Sequence, residues 1–135
     1  MSNVQAGSEF EEEMVSTLGK NGFWASLFPK SKDGSQPCDI IALNELGAHL
    51  IDAKDCKNGR FPFSRIEDNQ RNSMDRFLNL RCGKCYFALK YPDNKVYMIA
   101  WQAIRRMMDD GHKSISTIPE VYSLENWLNA NRIKR

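Results

Sequence analysis

The chain has 135 residues, 41% hydrophobic and 27% charged, the size and balance of one globular domain, 1–135, with its own core. No apolar run approaches the roughly 20 residues that cross a bilayer. The opening MSNVQAGSEFEEEM is too polar and acidic for a secretion signal, so the expected compartment is the cytoplasm, or the host cytoplasm if the gene is viral. Net charge is only +2, but residues 1–53 carry three Lys/Arg against eight Asp/Glu, and residues 54–90 carry nine against four. That asymmetry suits a protein that holds cations and binds phosphates.

The spacing of Phe10, Met14, Val15 and Leu18 predicts a helix over 8–20, ended by Asn21 and Gly22. Its glutamates are not equivalent. Glu9, Glu12 and Glu13 fall among polar positions, whereas Glu11 lies on the inward stripe. A lone acid there is costly unless something pairs with it. FWASLF (23–28) is a short strand candidate, and PKSKDGSQP (29–37) is a polar loop. CDIIALN (38–44) and AHLIDAKDC (48–56) form a hairpin about a turn centred near 45–46. That register pairs Asp39 with about position 52, so two carboxylates meet at one edge of the sheet. Asp52 and Lys54, two apart in a strand, point the same way.

KNGRFPFSR (57–65) is a loop rich in basic and aromatic residues. A helix is predicted over about 66–80, with Ile66, Gln70, Met74 and Phe77 on one stripe and Gln70 as its polar exception. KCYFALKY (84–91) and KVYMIAW (95–101) are strands joined by a PDN turn. QAIRRMMDD is a short helix ended by Gly111, and SLENWLNANRIKR is a last helix with Ser123 as N-cap. This order predicts an α/β architecture, a mixed central sheet flanked by helices. His49 and His112 are isolated and are expected to be structural. CGKC at 82–85 has metal-type spacing, but a structural zinc needs four ligands. Cys38 and Cys56 form no second close pair, so Cys85 is expected in the core.

Glu11, Asp39, Asp52 with Lys54, and Gln70 each sit where a neutral residue would fold more cheaply. Carboxylates gathered at one point repel unless a cation lies between them. Hard oxygen ligands suit Mg²⁺, with Mn²⁺ able to substitute. A lysine two residues from such a ligand can reach the same phosphate, neutralise developing charge or orient the attacking water. This is equipment for hydrolysing a phosphodiester.

On these residues, QPCDIIAL…HLIDAKDCK resembles the PD-(D/E)xK nuclease signature and the restriction-endonuclease-like core. Cys38 intervenes between Pro37 and Asp39, and the acid before the lysine is Asp52 where related resolvases often carry glutamate. Within that superfamily the chain resembles the Holliday-junction resolvases, of both archaeal and RecU type. GSEFEEEM, with Gly7 and Glu11, is similar to their opening helix, and the FP-containing loop leading to Gln70 is similar to the RecU stretch. The resemblance covers roughly residues 7–105 and implies a homodimer that cuts four-way DNA junctions with Mg²⁺ by symmetric nicks. It implies Asp39 and Asp52 as metal ligands, Glu11 as a further acid holding metal directly or through water, Lys54 as the catalytic lysine and Gln70 as support.

In the basic loop, Lys57, Arg60 and Arg65 are expected to meet DNA phosphates, with Arg71 on the following helix as a further DNA contact. Phe61 or Phe63 either wedges at a branch point or stacks on an unpaired base, or anchors the loop to the core, the expected fate of at least one of them. The alternatives to a junction nuclease are a restriction- or repair-type nuclease acting on duplex or flapped DNA, a non-cutting DNA-binding protein on the same fold, and a regulator that binds protein partners.

Overall fold

The computed structural model describes residues 3–30, 32–33, 36–81 and 83–132, with residues 3–7 as backbone alone. Cys82 of the CGKC pair lies outside the described residues, and nothing is described around Gly7 beyond its helical backbone. Helix α1 (Asn3–Lys20) starts five residues before the expected boundary at Ser8. It buries Phe10, Met14 and Leu18 along one face and leaves Glu9, Glu12 and Glu13 in solvent. Gly22, at φ 87°, ends it: Phe23 N–H reaches the Leu18 carbonyl at 3.1 Å and Gly22 N–H the Gly19 carbonyl at 3.3 Å. That paired closure satisfies the last carbonyls of the helix and turns the chain into the sheet.

Strands β1 (Trp24–Leu27), β2 (Ile40–Asn44) and β3 (Gly47–Asp55) follow as an antiparallel meander. The hairpin register runs from Asn44 opposite Gly47 to Ile40 opposite Ile51. Continued by one residue, it sets Asp39 beside Asp52, as the turn position predicts. After the two-residue strand β4 (Phe61–Pro62) comes helix α2 (Asp68–Leu78), then β5 (Gly83–Lys90) and β6 (Val96–Ala100). Helix α3 (Trp101–Asp109), strand β7 (Ser114–Ile115) and helix α4 (Leu124–Asn131) complete the described fold. The main sheet has the order β1-β2-β3-β5-β6, antiparallel throughout except for the parallel pair β3–β5. A parallel pair needs a crossover connection, and α2 lies in it. The expected mixed sheet with flanking helices is the observed one.

Two apolar layers cover the sheet, because alternate residues of a strand face opposite ways. Leu50, Phe87 and Leu89 face one way and pack with Phe61, Phe63, Met74, Trp101 and Ile104. Ile51 and Ala88 face the other way and pack with Phe10, Met14, Leu18 and Trp127. His49 lies in the second layer, fully buried among Phe23, Tyr86 and Trp127. Burial, with help from Lys84, lowers its pKa to about 4, so the ring is a neutral core residue. His112 is exposed, and Cys85 is buried with its thiol toward the Met74 carbonyl.

The small sheet β4–β7 was not visible in the sequence. It pairs Phe61 with Ile115 and Pro62 with Ser114, and so clamps the 57–65 loop against a segment more than fifty residues away. Helix α2 begins at Asp68 and not at Ile66, because Glu67 and Gln70 form a reciprocal capping box there. Helix α4 is capped as expected, with Ser123 Oγ accepting from Asn126 N–H at 3.2 Å.

Gly83 fixes the far end of α2 against β5. A Cβ built on it would stand 2.3 Å from the Phe77 carbonyl oxygen, a backbone atom that cannot swing aside. Gly83→Ala should therefore destabilise the protein by about 1–3 kcal/mol. Urea denaturation of the two proteins measures this, and equal stability would mean that the approach of α2 to β5 is not fixed here.

Candidate active site

The site forms where the C-terminal end of β3 meets α1, α2 and the start of β2. Asp52 and Lys54 face the α2 side, because their parallel partners Phe87 and Leu89 belong to that core. Glu11 reaches in from α1 in the other layer. The two layers thus deliver their polar side chains to one edge of the sheet, into a cleft of about 610 Å³.

Asp52 is 0% exposed and lies under the cleft floor. Its Oδ1 accepts a 2.9 Å hydrogen bond from Gln70 Nε2. Its Oδ2 stands 3.0 Å from Lys54 Nζ as an ion pair, and this buried oxygen has no other hydrogen-bond partner. Burial pushes the carboxyl up to about 7; Lys54 opposes that shift and Asp39 adds to it. Asp39 sits one residue before β2, with Oδ2 accepting from Ala53 N–H at 2.9 Å and Oδ1 3.0 Å from Lys30 Nζ. Glu11 is 7% exposed, and its Oε1 accepts from the same Lys30 ammonium at 2.8 Å. Its pKa is raised, by burial first, against the pull of Lys30.

Gln70 uses both ends of its amide. Oε1 accepts from Glu67 N–H at 3.1 Å while Nε2 donates to Asp52. The capping of α2 therefore orients the donor that holds Asp52. All five residues expected to carry the chemistry, Glu11, Asp39, Asp52, Lys54 and Gln70, are brought together here. Lys30 was missed. It lies in the stretch read only as a polar loop; the available signal was a lysine shortly before Asp39 in an otherwise acidic third of the chain.

The expected DNA contacts divide. Lys57, Arg60 and Arg65 line the cleft and are exposed. Arg65 is held by its guanidinium, with Nη1 donating to the Asp55 carbonyl at 3.1 Å and Cζ 5.9 Å from the Phe61 ring centroid. Phe61 and Phe63 do not present their rings to a ligand. They are 0% and 5% exposed and pack edge to face, with Phe61 also against Phe87. The β4–β7 pairing turns the loop inward, so both aromatics anchor it to the core. Arg71 faces a separate groove between α2 and α3, beside Met108 and Asp75; the helical turn points it away from the cleft.

Three carboxylates and two ammoniums leave the centre one negative charge in excess if all are ionised. Among the described residues no group of three or more His, Cys, Asp or Glu side chains is already arranged as a metal cluster. The donor set nonetheless fits a hard cation: oxygen ligands, excess negative charge and a buried Asp52 Oδ2 with no hydrogen-bond partner besides the Lys54 ion pair.

The sequence model of the archaeal Holliday junction resolvase family, Hjc, matches residues 2–135. The chain belongs to that family. Membership places it among the nucleases that resolve Holliday junctions. The resolvase fold is seen independently in the 1.6 Å structure of Hjc from Archaeoglobus fulgidus, an archaeal hyperthermophile. That structure is 24% identical, has a TM-score of 0.63, and aligns over 86% of this chain and 91% of its own. No curated protein matches the chain in sequence.

In this resolvase, removing the amide of Gln70 leaves Asp52 Oδ1 without its donor and α2 without half of its capping box. Gln70→Ala should cost about 1–3 kcal/mol of folding free energy, measured by chemical denaturation in EDTA. Unchanged stability would mean that the Gln70–Asp52 bond contributes nothing to holding the carboxylate.

Proposed function

We propose that the chain, as one nuclease domain spanning 1–135, hydrolyses phosphodiester bonds in four-way DNA junctions with a divalent metal, Mg²⁺ by preference and Mn²⁺ as a substitute. The observation that carries this is the buried Asp52 carboxylate, held beside Asp39 and Lys54, with one oxygen that has no hydrogen-bond partner besides the Lys54 ion pair. Asp39 and Asp52 would hold the ion with Glu11, directly or through water. The ion would supply Lewis-acid activation of a water and neutralisation of charge at the phosphate.

The protein's own groups do the rest. Lys54 is within reach of Asp52 on the same strand face, so its ammonium meets the non-bridging phosphate oxygens or orients the attacking water. Gln70 fixes the Asp52 carboxylate beneath the cleft through its 2.9 Å hydrogen bond. Lys57, Arg60 and Arg65 on the cleft rim take the DNA backbone as phosphate partners, which fixes position without reading sequence. Each chain has one such centre, and a junction resolved symmetrically takes two nicks, so the working unit is a homodimer. Among the described residues no helix is long and apolar enough to cross a membrane, and a DNA-cutting enzyme of this kind works in the cytoplasm.

The test is cleavage of an end-labelled four-way junction beside a linear duplex of the same sequence, in Mg²⁺ and in EDTA, by parent and Lys54→Ala. Paired nicks in the junction alone are expected, absent in EDTA and reduced roughly 100-fold or more in Lys54→Ala, with junction binding retained. Equal cutting of the duplex would favour a general nuclease. Full activity of Lys54→Ala would refute the assignment of the lysine.

A further inference from the structure

Among the described residues at the heart of the cleft, Lys30 is a cation to which the nuclease motif gives no role. Its ammonium stands 2.8 Å from Glu11 Oε1 and 3.0 Å from Asp39 Oδ1, so a single charge ties an acid of α1 to the acid that precedes β2. The two carboxylate side chains are only 10% and 12% exposed, while that of Lys30 is 57% exposed. The acids are thus fixed by the fold, and the lysine is free to leave into water. Its four-carbon stem and single-point charge suit it to exchange in a way that an arginine fork would not.

Glu11 and Asp39 are two of the three acids assigned above to the divalent ion. An ammonium and a metal ion compete for the same pair of oxygens, since like charges repel, and Lys30 bridges both Glu11 and Asp39. We propose that Lys30 is a built-in competitor for the metal position. It neutralises Glu11 and Asp39 in the metal-free enzyme and must withdraw before they can hold a divalent cation. The inference rests on the assignment of those acids as metal-holding residues. Lys30 shares the cleft with Lys57, Arg60 and Arg65, so it withdraws within the region assigned to the DNA backbone. A phosphate that draws the ammonium away would favour metal loading, and by linkage metal would favour DNA.

The test is titration of the full chain with Mn²⁺ alone, followed by calorimetry, for the parent, Lys30→Met, Lys30→Gln and Asp39→Asn. Urea denaturation in EDTA verifies that each variant is folded. The parent should bind Mn²⁺, and Asp39→Asn should lose that binding. Both Lys30 variants should bind about three- to tenfold more tightly than the parent, the scale of one or two partly exposed ion pairs removed from competition. Equal or weaker affinity in both Lys30 variants, with Asp39→Asn still defective, would overturn the competitor role alone. A parent that binds no Mn²⁺, or an Asp39→Asn that binds as the parent does, would overturn the metal assignment and the inference with it.

Discussion

The burial of one carboxylate, Asp52, is the constraint around which the rest of this site is arranged. An ionised acid removed from water costs several kcal/mol unless charges and donors replace its hydration. Gln70 and Lys54 supply part of that replacement. Asp39 beside it works in the other direction, and the net result is a carboxyl pushed up to about 7. A fold under selection for stability alone would have placed an apolar residue at position 52, as it has at Leu50 one step back on the same face. On the function proposed above, that cost is retained because the acid holds a cation.

The architecture explains how such a centre can be assembled. β3 is the middle strand of the five, covered on both faces, and its C-terminal end leaves the cores at Asp52 and Lys54. The hairpin with β2 brings Asp39 to the same edge. The crossover through α2 brings Gln70, and the packing of Phe10, Met14 and Leu18 against the opposite face brings Glu11. Each polar group is therefore held by an apolar contact elsewhere in its own element. That is the arrangement a preorganised site requires.

Much of this was legible in the sequence because it depends on short-range geometry. The turn near residues 45–46 determines the β2–β3 register, and the register alone brings Asp39 to Asp52. Glu11 and Gln70 stood out because a helical stripe has a fixed period and each is the polar residue upon it. What was not legible depends on long-range pairing. Two-residue strands such as β4 and β7 carry no periodic signal, so the sequence offered core burial for at least one of Phe61 and Phe63 but not the pairing that buries both. The direction of Arg71 depends on how α2 meets α3. Lys30 lies outside any regular element, and its value comes entirely from the two acids that the fold brings to it.

The most direct test of this account is to locate Mn²⁺ by anomalous scattering in crystals of the protein grown with the metal. The expected result is a peak at the edge of the sheet among Asp39, Asp52 and Glu11, with the Lys30 ammonium withdrawn from Asp39. Mn²⁺ bound elsewhere, in a protein that still cuts junctions in that metal, would contradict it. Asp52 would then be a buried acid retained for some reason other than holding the ion.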